Sequence, residues 1–269
     1  PSHPAVTDST VRMLAETPEG VTAEILTEVT ELARHHRFLH WHLAFPQVFV
    51  VNLEGDSETG CDGGFDLVFG NPPWETMSPD RREFLGQYIP GIRAMAPEEQ
   101  DAAIEEALAD EQLATAYNFY RRDLFAQVHF LKDSGRYTLF AKGNLGKGDF
   151  NVYRMFVETA LRNARNDGYA AQITPGGLYG GANASAIRRH LLDDCRLDTM
   201  FGYDNYKKHW FDVDMARFAA YSARTGGRTQ SFHARFGLTR PEDYSNDAVT
   251  VDADLIRGQA PETYAIPDL

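Results

Sequence analysis

The stretch Phe65–Gly70, FDLVFG, is followed at once by Asn71, Pro72, Pro73 and Trp74. A short, nearly continuous apolar run of this kind is typical of a strand that is buried on both faces of a parallel sheet. Proline has no backbone N–H to offer a sheet, so the two prolines end the strand abruptly. The chain is therefore expected to fold around a sheet in which this strand stops at a rigid turn.

Helical and strand patterns alternate along most of the chain. Strands are predicted over 38–51, 65–70, 135–143, 169–175, 197–203 and 217–225, and helices over 21–36, 150–165 and 184–195. This alternation favours an α/β fold with a doubly wound, mostly parallel sheet that helices cover on both faces. Such sheets bind ligands beyond the carboxyl ends of their strands. The turn at 71–74 stands at one of those ends.

Two segments depart from this rhythm. Residues 75–130 predict a helical insertion, with a short helix capped by Ser78 and then one long helix or two. From Gly226 onward the pattern is lost, so we expect 226–269 to be a linker or the start of a following domain. The main domain is predicted to span 1–225.

Composition narrows the function classes. The 269 residues carry a formal net charge of −13, which argues against tight nucleic-acid binding by this chain alone. Between Phe201 and Arg240, however, the chain has seven basic side chains and three acidic ones, which gives a net charge of +4. These basic residues are either scattered over the surface or gathered at a local edge that faces phosphate.

The cysteines and the hydropathy give further expectations. Cys61 and Cys195 lack the spacing of zinc ligands, and we expect reduced thiols, a cytoplasmic protein and no metal site. No apolar run approaches the roughly 18 residues that a membrane span needs.

The turn at 71–74 offers groups that could bind a particular kind of ligand. The side-chain oxygen of Asn71 and the carbonyl of Pro72 are two acceptors on a rigid frame, and Trp74 adds a flat stacking face. This combination suits a planar heterocycle with an exocyclic amine, whose lone pair two fixed acceptors would draw out of conjugation. A base in a duplex would have to be flipped out to reach it. The alternative is a proline-rich strand exit with a surface tryptophan.

At these residues the sequence resembles the amino-methylating DNA adenine methyltransferases, whose fourth motif is Asn-Pro-Pro-aromatic. The segments 40–49, 63–75, 129–158 and 168–179 together look like the large methylases of type IIG restriction–modification and BREX-like phage-defence systems. The resemblance covers about 36–225. It implies a class I methyltransferase fold with a Rossmann-like sheet, S-adenosylmethionine as cofactor, and methylation of the N6 amine of a flipped adenine in double-stranded DNA.

The resemblance also implies roles for single residues. The four residues 71–74 would hold the target adenine. Phe156, in a segment similar to the fifth motif, would lie against the adenine ring of the cofactor, unless it is plain helix core. Trp210 and Phe211, in a segment similar to the eighth motif, would pack on the other face of the flipped base. The proline that the family usually has there is absent.

Two more expectations concern partners. Lys207 and Lys208 could neutralise DNA phosphate, or they could be a solvated pair. The family's glycine-rich cofactor loop precedes the Asn-Pro-Pro motif, and nothing in 1–60 resembles it. The glycines of 143–151 suggest a phosphate-binding loop, but Lys147 is followed by Gly148 and not by Ser or Thr, so the P-loop pattern fails.

We therefore expect the chain to be incomplete by itself, as a fragment, a split subunit or a degenerate enzyme. Its partner would be the remainder of its own polypeptide, with the cofactor-binding half and the target-recognition domain, or another subunit. Two alternative functions remain. One is methylation of a glutamine side chain in a protein or of a base in RNA, and the other is a non-catalytic scaffold.

Overall fold

A computed structural model describes residues 7–52, 54, 60–139, 150–212, 216–240, 243 and 247–267 of the chain. These residues form two compact units, Pro1–Asp62 and Gly63–Leu269. The first unit contains α1 (Asp8–Glu16), α2 (Ala23–His36), α3 (Trp41–Ala44) and β1 (Phe49–Val51), and β1 pairs with β2 (Cys61–Gly63).

The first unit confirms one prediction and corrects another. The periodicity of 21–36 predicts a helix, and α2 confirms it. The helix begins after Thr22, whose hydroxyl accepts a hydrogen bond from the N–H of Ile25. The strand predicted over 38–51 is wrong for most of its length. The segment contains the short helix α3, after which the ring of Phe45 stacks on that of Trp41 at 5.9 Å, and only β1 is a strand.

The second unit is built on a mixed sheet of six strands. They are β3 (Phe65–Gly70), β4 (Ala164–Pro175), β5 (Cys195–Asp204), β6 (Arg217–Thr225), β7 (Ser231–Leu238) and β8 (Val249–Asp252), in the order β3-β4-β6-β5-β7-β8. Strands β3 and β4 are parallel, as are β5 and β7, while β6 runs antiparallel to both β4 and β5. Strand β8 is antiparallel to β7. Four strands therefore run in one direction and two in the other.

Helices cover one face of this sheet. The sheet helices are α7 (Tyr153–Asn163), α8 (Gly177–Gly180), α9 (Ser185–Asp193) and α10 (Ala253–Gln259). Their buried side chains form one core with the sheet, from Val157 and Ile187 on the helices to Met200 and Phe232 on the strands. The opposite face carries a separate aromatic cluster. Helices were predicted on both faces of the sheet, but within the described residues they cover only one face.

Residues 226–269, for which the sequence predicts a linker or a following domain, contribute to this sheet. Strands β7 and β8 are two of its six strands, and Ile256 of α10 is buried in the same core. Arg188 holds the end of the segment in place, because its buried guanidinium donates to the carbonyls of Thr263 and Tyr264.

Strand β3 confirms the predicted strand but not its predicted burial. Val68 packs against the helix-covered core, whereas Leu67 and Phe69 point away and are 51% and 75% exposed. Among the described strands, β3 pairs only with β4. In the part of the chain that the structure describes, one edge of this strand therefore has no strand neighbour, and the face with Leu67 and Phe69 is exposed.

The insertion at 75–130 is helical as predicted. It contains α4 (Arg81–Leu85), α5 (Pro97–Leu108) and α6 (Glu111–Asp133), so the long helical pattern is two helices. The cap of α4 is Asp80 instead of the predicted Ser78. Burial raises the pKa of the Asp80 carboxyl, but hydrogen bonds from the N–H groups of Arg82 and Glu83 outweigh burial and lower the pKa overall.

Three smaller expectations have these outcomes. The strand predicted over 135–143 is absent from the described part, 135–139, and its remainder lies outside the described residues. Cys61 and Cys195 are both free thiols. None of the helices in the described part of the chain is long and apolar enough to cross a membrane.

Candidate functional site

The candidate site lies where the parallel strands of the second unit end. The Asn-Pro-Pro-Trp turn follows β3, and the loop from Asn205 to Phe211 follows β5. Strand β6 begins at the same edge, because Arg217 pairs with Asp204 at the end of β5. The sheet topology thus brings three separate parts of the sequence to the edge at which open α/β sheets bind ligands.

An aromatic cluster joins the turn to the loop. The ring of Trp74 meets that of Phe211 edge to face at 5.3 Å, and both rings lie against Phe218 of β6, at 6.3 and 5.1 Å. Tyr203 stacks on Phe218 at 4.8 Å and 7°, and Trp210 packs edge to face against Tyr203 at 5.2 Å. The three aromatic residues predicted to face a base, Trp74, Trp210 and Phe211, therefore share one cluster.

Two indole N–H groups in this cluster have no hydrogen-bond partner among the described residues. They belong to Trp74 and Trp210, and both nitrogen atoms are buried. A buried donor without a partner costs roughly 1–3 kcal/mol. The described part of the cluster therefore has two unused hydrogen-bond donors.

Asn205 fixes the loop that carries Trp210 and Phe211. Its side chain is fully buried, and its Oδ1 accepts from the N–H groups of Trp210 and Phe211 at 2.8 and 3.2 Å. Its Nδ2 donates to the carbonyl of Phe211 at 2.8 Å. One amide side chain thus sets the backbone of both aromatic residues.

The turn is also held by the two residues that precede α7. Asn151 Nδ2 donates to the carbonyl of Trp74 at 2.6 Å, and Val152 N–H donates to the carbonyl of Glu75 at 3.0 Å. Pro72 is buried, whereas the side chain of Asn71 is exposed and makes no hydrogen bond within the described residues. The side chain of Asn71 is thus exposed at the start of a turn whose end, at Trp74 and Glu75, is held by hydrogen bonds.

Phe156, the predicted cofactor contact, lies on α7 and is 44% exposed. It is therefore not helix core, which was the alternative reading of this residue. Its carbonyl accepts from Nε2 of Gln172, and the Gln172 Oε1 accepts from the hydroxyl of Tyr221 at 2.8 Å. Complete burial raises the pKa of Tyr221, so this phenol stays protonated and can donate.

Three of the seven basic side chains between Phe201 and Arg240 pair with nearby acids. Arg217, Arg228 and Arg235 pair with Asp204, Asp254 and Asp247. Of the two lysines predicted to meet phosphate, Lys208 is exposed. The side chain of Lys207 lies outside the described residues.

Four residues of this site are missing from the motif-based prediction. Tyr203 and Phe218 look like ordinary strand residues, and only the sheet order places them beside Trp74. Asn205 and Asn151 lie inside the predicted motif segments, as the second residue of DNYKKHWF and the first of NVYRMF, but the motifs gave them no role. An asparagine that precedes a turn or a helix was the available signal.

The chain matches no protein-family model and no curated protein sequence. Among solved structures, it is similar to the methyltransferase subunit of a type I restriction–modification system from Streptococcus thermophilus, with 16% identity over 51% of this chain and 33% of that one, at a TM-score of 0.37. It is also similar to the type IIG restriction endonuclease BpuSI, with 12% identity over 53% of this chain and 18% of that one, at a TM-score of 0.37.

A further similar structure is a DrdV–DNA complex, with 12% identity over 74% of this chain and 18% of that one, again at a TM-score of 0.37. The chain thus spans at most about a third of the length of these three proteins. Likenesses of this size assign neither a family nor an activity to it.

Proposed function

We propose that this chain is the base-binding part of a methyltransferase that transfers a methyl group to the N6 amine of a flipped adenine in DNA, within a restriction–modification or phage-defence protein. The observation that supports this proposal is the contact between Trp74 and Phe211 at the carboxyl ends of the strands. It joins an Asn-Pro-Pro-aromatic turn to a second aromatic residue from a distant part of the sequence.

In this proposal the turn binds the amine. The Asn71 side-chain oxygen and the Pro72 carbonyl each accept one amine hydrogen, and the rigid prolines keep the two acceptors at a fixed angle. When the amine nitrogen bonded to the methyl carbon and the bond from that carbon to its donor broke, positive charge would develop on the nitrogen until it lost a proton. The two acceptors stabilise that charge and hold the lone pair out of the ring system. A side chain that is free of internal hydrogen bonds, as Asn71 is among the described residues, suits this role.

Base entry requires a change in the aromatic cluster. A base between two stacked rings separates them by about 7 Å, twice the usual stacking distance. Trp74 and Phe211 are in contact at 5.3 Å, so one of the two rings must move. We propose that the base enters between them, and that a base nitrogen then accepts from an indole N–H that is unpaired in the described cluster.

The residues present fit the cofactor only in part. S-adenosylmethionine would supply the methyl group, and the exposed ring of Phe156 could contact its adenine. A glycine-rich loop after a strand, which the resemblance requires, has no counterpart in the sequence of 1–60. We therefore assign no step to the cofactor in this chain, and we propose that another part of the polypeptide or a partner subunit completes the pocket.

Double-stranded DNA is the proposed substrate. Lys208 is exposed on the loop that carries Trp210 and Phe211, so a phosphate near the flipped base could pair with it and with Lys207. Because the chain has a net charge of −13, we propose that other parts of the whole protein supply most of the DNA binding and that these lysine contacts add to it.

The test is methyl transfer to DNA by the complete polypeptide that carries this chain. Asn71→Ala should lower N6-methyladenine formation by at least about 100-fold, the usual effect of losing one polar group that stabilises developing charge. DNA binding, measured by fluorescence anisotropy, should change little. Asn118→Ala is the matched control, because Asn118 is an exposed asparagine on α6, far along the sequence from the turn.

Two outcomes would contradict the proposal. Full methyl transfer by Asn71→Ala would remove the role of the turn. Methylation of protein glutamine or of RNA, with none of DNA, would favour the alternative substrates, and no methyl transfer with any of them would favour a non-catalytic scaffold.

A further inference from the structure

Asn151 connects the Asn-Pro-Pro-Trp turn to helix α7. Its side chain is buried, with 8% exposure, and lies between two backbone segments. On one side Nδ2 donates to the carbonyl of Trp74 at 2.6 Å. On the other side Oδ1 accepts from the N–H of Tyr153, the first residue of α7, at 3.2 Å. Both polar ends of one amide are therefore used.

The backbones beside this amide are also paired. Thr76 and Asn151 form an antiparallel bridge, in which Val152 N–H donates to the carbonyl of Glu75 and Met77 N–H donates to the carbonyl of Phe150. These bonds fix the chain that leaves the turn. They do not involve Trp74 itself, whose carbonyl is bound by Asn151.

The residue type at 151 follows from these contacts. The bond to Tyr153 needs an acceptor, because an N–H in the first turn of a helix has no partner within the helix. The bond to Trp74 needs a donor. Asparagine offers both at this reach, whereas aspartate offers only acceptors and serine is shorter. The amide therefore has a task beyond capping the helix.

We propose that Asn151 is a positioning residue, which sets the place of the Trp74 ring relative to the flipped base and ties it to the helix that carries Phe156. This inference rests on the proposed function for its catalytic consequence only. Phe156 N–H donates to the carbonyl of Val152, so Phe156 is one helical turn from the amide. The position of the base-facing turn is thus fixed relative to the helix that is proposed to face the cofactor.

The position of Trp74 can be measured in this chain without any assumption about activity. The chain has three tryptophans, Trp41, Trp74 and Trp210, so 5-fluorotryptophan labelling gives three ¹⁹F signals that single Trp→Phe variants assign. Asn151→Asp keeps the acceptor for Tyr153 but places an oxygen against the Trp74 carbonyl. We expect the Trp74 signal to shift or broaden and the Trp41 signal to stay in place.

Two further variants make the result decisive. Asn151→Ser keeps a capping oxygen but cannot reach the Trp74 carbonyl, and it should give the same change if the aspartate variant does not fold. Asn163→Ser is the control, because Asn163 is a buried asparagine at the other end of α7 and should leave the Trp74 signal unchanged. An unchanged Trp74 signal in both Asn151 variants would overturn the proposal.

The catalytic consequence is tested in the complete polypeptide. A displacement of about 1 Å at a reacting group costs about 100-fold in rate, so Asn151→Asp should lower kcat for methyl transfer by about that factor while KM for DNA changes little. A shifted Trp74 signal with an unchanged kcat would overturn the positioning role. If Asn71→Ala also has full activity, the proposed function has failed. The ¹⁹F result then still shows whether Asn151 fixes the position of Trp74.

Discussion

At the scale of single residues, two asparagines outside the Asn-Pro-Pro-Trp motif organise the candidate site. Asn151 binds the backbone of Trp74, and Asn205 binds the backbone of Trp210 and Phe211. Each uses its donor and its acceptor together, which a hydrophobic contact cannot replace. The aromatic cluster therefore depends on buried polar bonds as well as on ring packing.

A substitution at Asn205 tests this dependence. Asn205→Ala removes three hydrogen bonds and leaves buried backbone groups of Trp210 and Phe211 without partners. We expect the free energy of unfolding to fall by about 2–3 kcal/mol, since each buried group without a partner costs roughly 1–3 kcal/mol. Urea denaturation followed by far-UV circular dichroism measures the loss.

The same variant should change the near-UV circular dichroism at low urea, because the rings of Trp210 and Phe211 lose their fixed backbone. Asn118→Ala, at an exposed site on α6, should change neither signal. A stability loss within error of that control would show that Asn205 does not organise the loop.

At the scale of elements, the sequence pattern predicted most of the second unit correctly. The patterns at 65–70, 169–175, 197–203 and 217–225 correspond to β3, β4, β5 and β6, and the helix at 150–165 corresponds to α7. These segments have strong periodicity that tertiary packing reinforces. Their faces and their order in the sheet could not be read from periodicity, because both depend on pairing between distant strands.

The sequence pattern failed where local signals were weak or balanced. In 38–51 the aromatic and β-branched residues favoured a strand, but the contact between Trp41 and Phe45 suits one turn of helix. After Gly226 the glycines and polar residues that precede Phe232 hid strand β7, although Phe232, Ala234, Phe236 and Leu238 are buried and alternate with outward-facing residues. Burial of β3 was overestimated, because an apolar run does not show whether another element covers it.

Arg188 of α9 holds the C-terminal segment onto the sheet. Its guanidinium is fully buried and donates to the carbonyls of Leu178, Gly181, Thr263 and Tyr264 at 2.7–3.1 Å. Burial lowers the pKa of Arg188 to about 10, so it keeps its charge at neutral pH. Among the described residues, the hydrogen-bond acceptors of this charged group are backbone carbonyl oxygens.

Replacing this side chain should release the segment. Arg188→Met leaves four buried carbonyls without their donor, and we expect a loss of about 3–5 kcal/mol in the free energy of unfolding. Hydrogen exchange should rise at 260–267. Arg189→Met is the control, since Arg189 contacts the same segment from a more exposed position, through the ring of Tyr264 at 4.2 Å and the carbonyl of Pro261. Equal effects of both variants would contradict the special role of Arg188.

At the scale of the whole molecule, the open edge of the sheet is the feature that the proposed function explains. The apolar residues of β3 suit a strand with neighbours on both sides, yet in the described chain it pairs only with β4. A proposed cofactor-binding half would have an edge to pair with and apolar side chains to cover. The disagreement between the sequence of β3 and its exposure thus agrees with the proposed incompleteness of the pocket.

An exposed apolar edge strand makes a prediction about this chain in isolation. Leu67 and Phe69 are 51% and 75% exposed, and the edge of β3 away from β4 has no strand partner among the described residues, so this edge is a template for pairing with another chain. We expect the chain to self-associate as its concentration rises. Phe69→Lys should reduce this association, because a lysine on an edge strand opposes edge-to-edge pairing. Sedimentation velocity over a range of concentrations measures the change.

The control for Phe69→Lys must add the same charge elsewhere. Phe119→Lys does so on α6, where the side chain is 57% exposed but belongs to no strand edge. We expect that variant to associate like the unmodified chain. If both variants reduce association equally, net charge and not the β3 edge controls it. If neither does, the edge is not the contact surface, and the apolar residues of β3 need a different explanation from a missing neighbour.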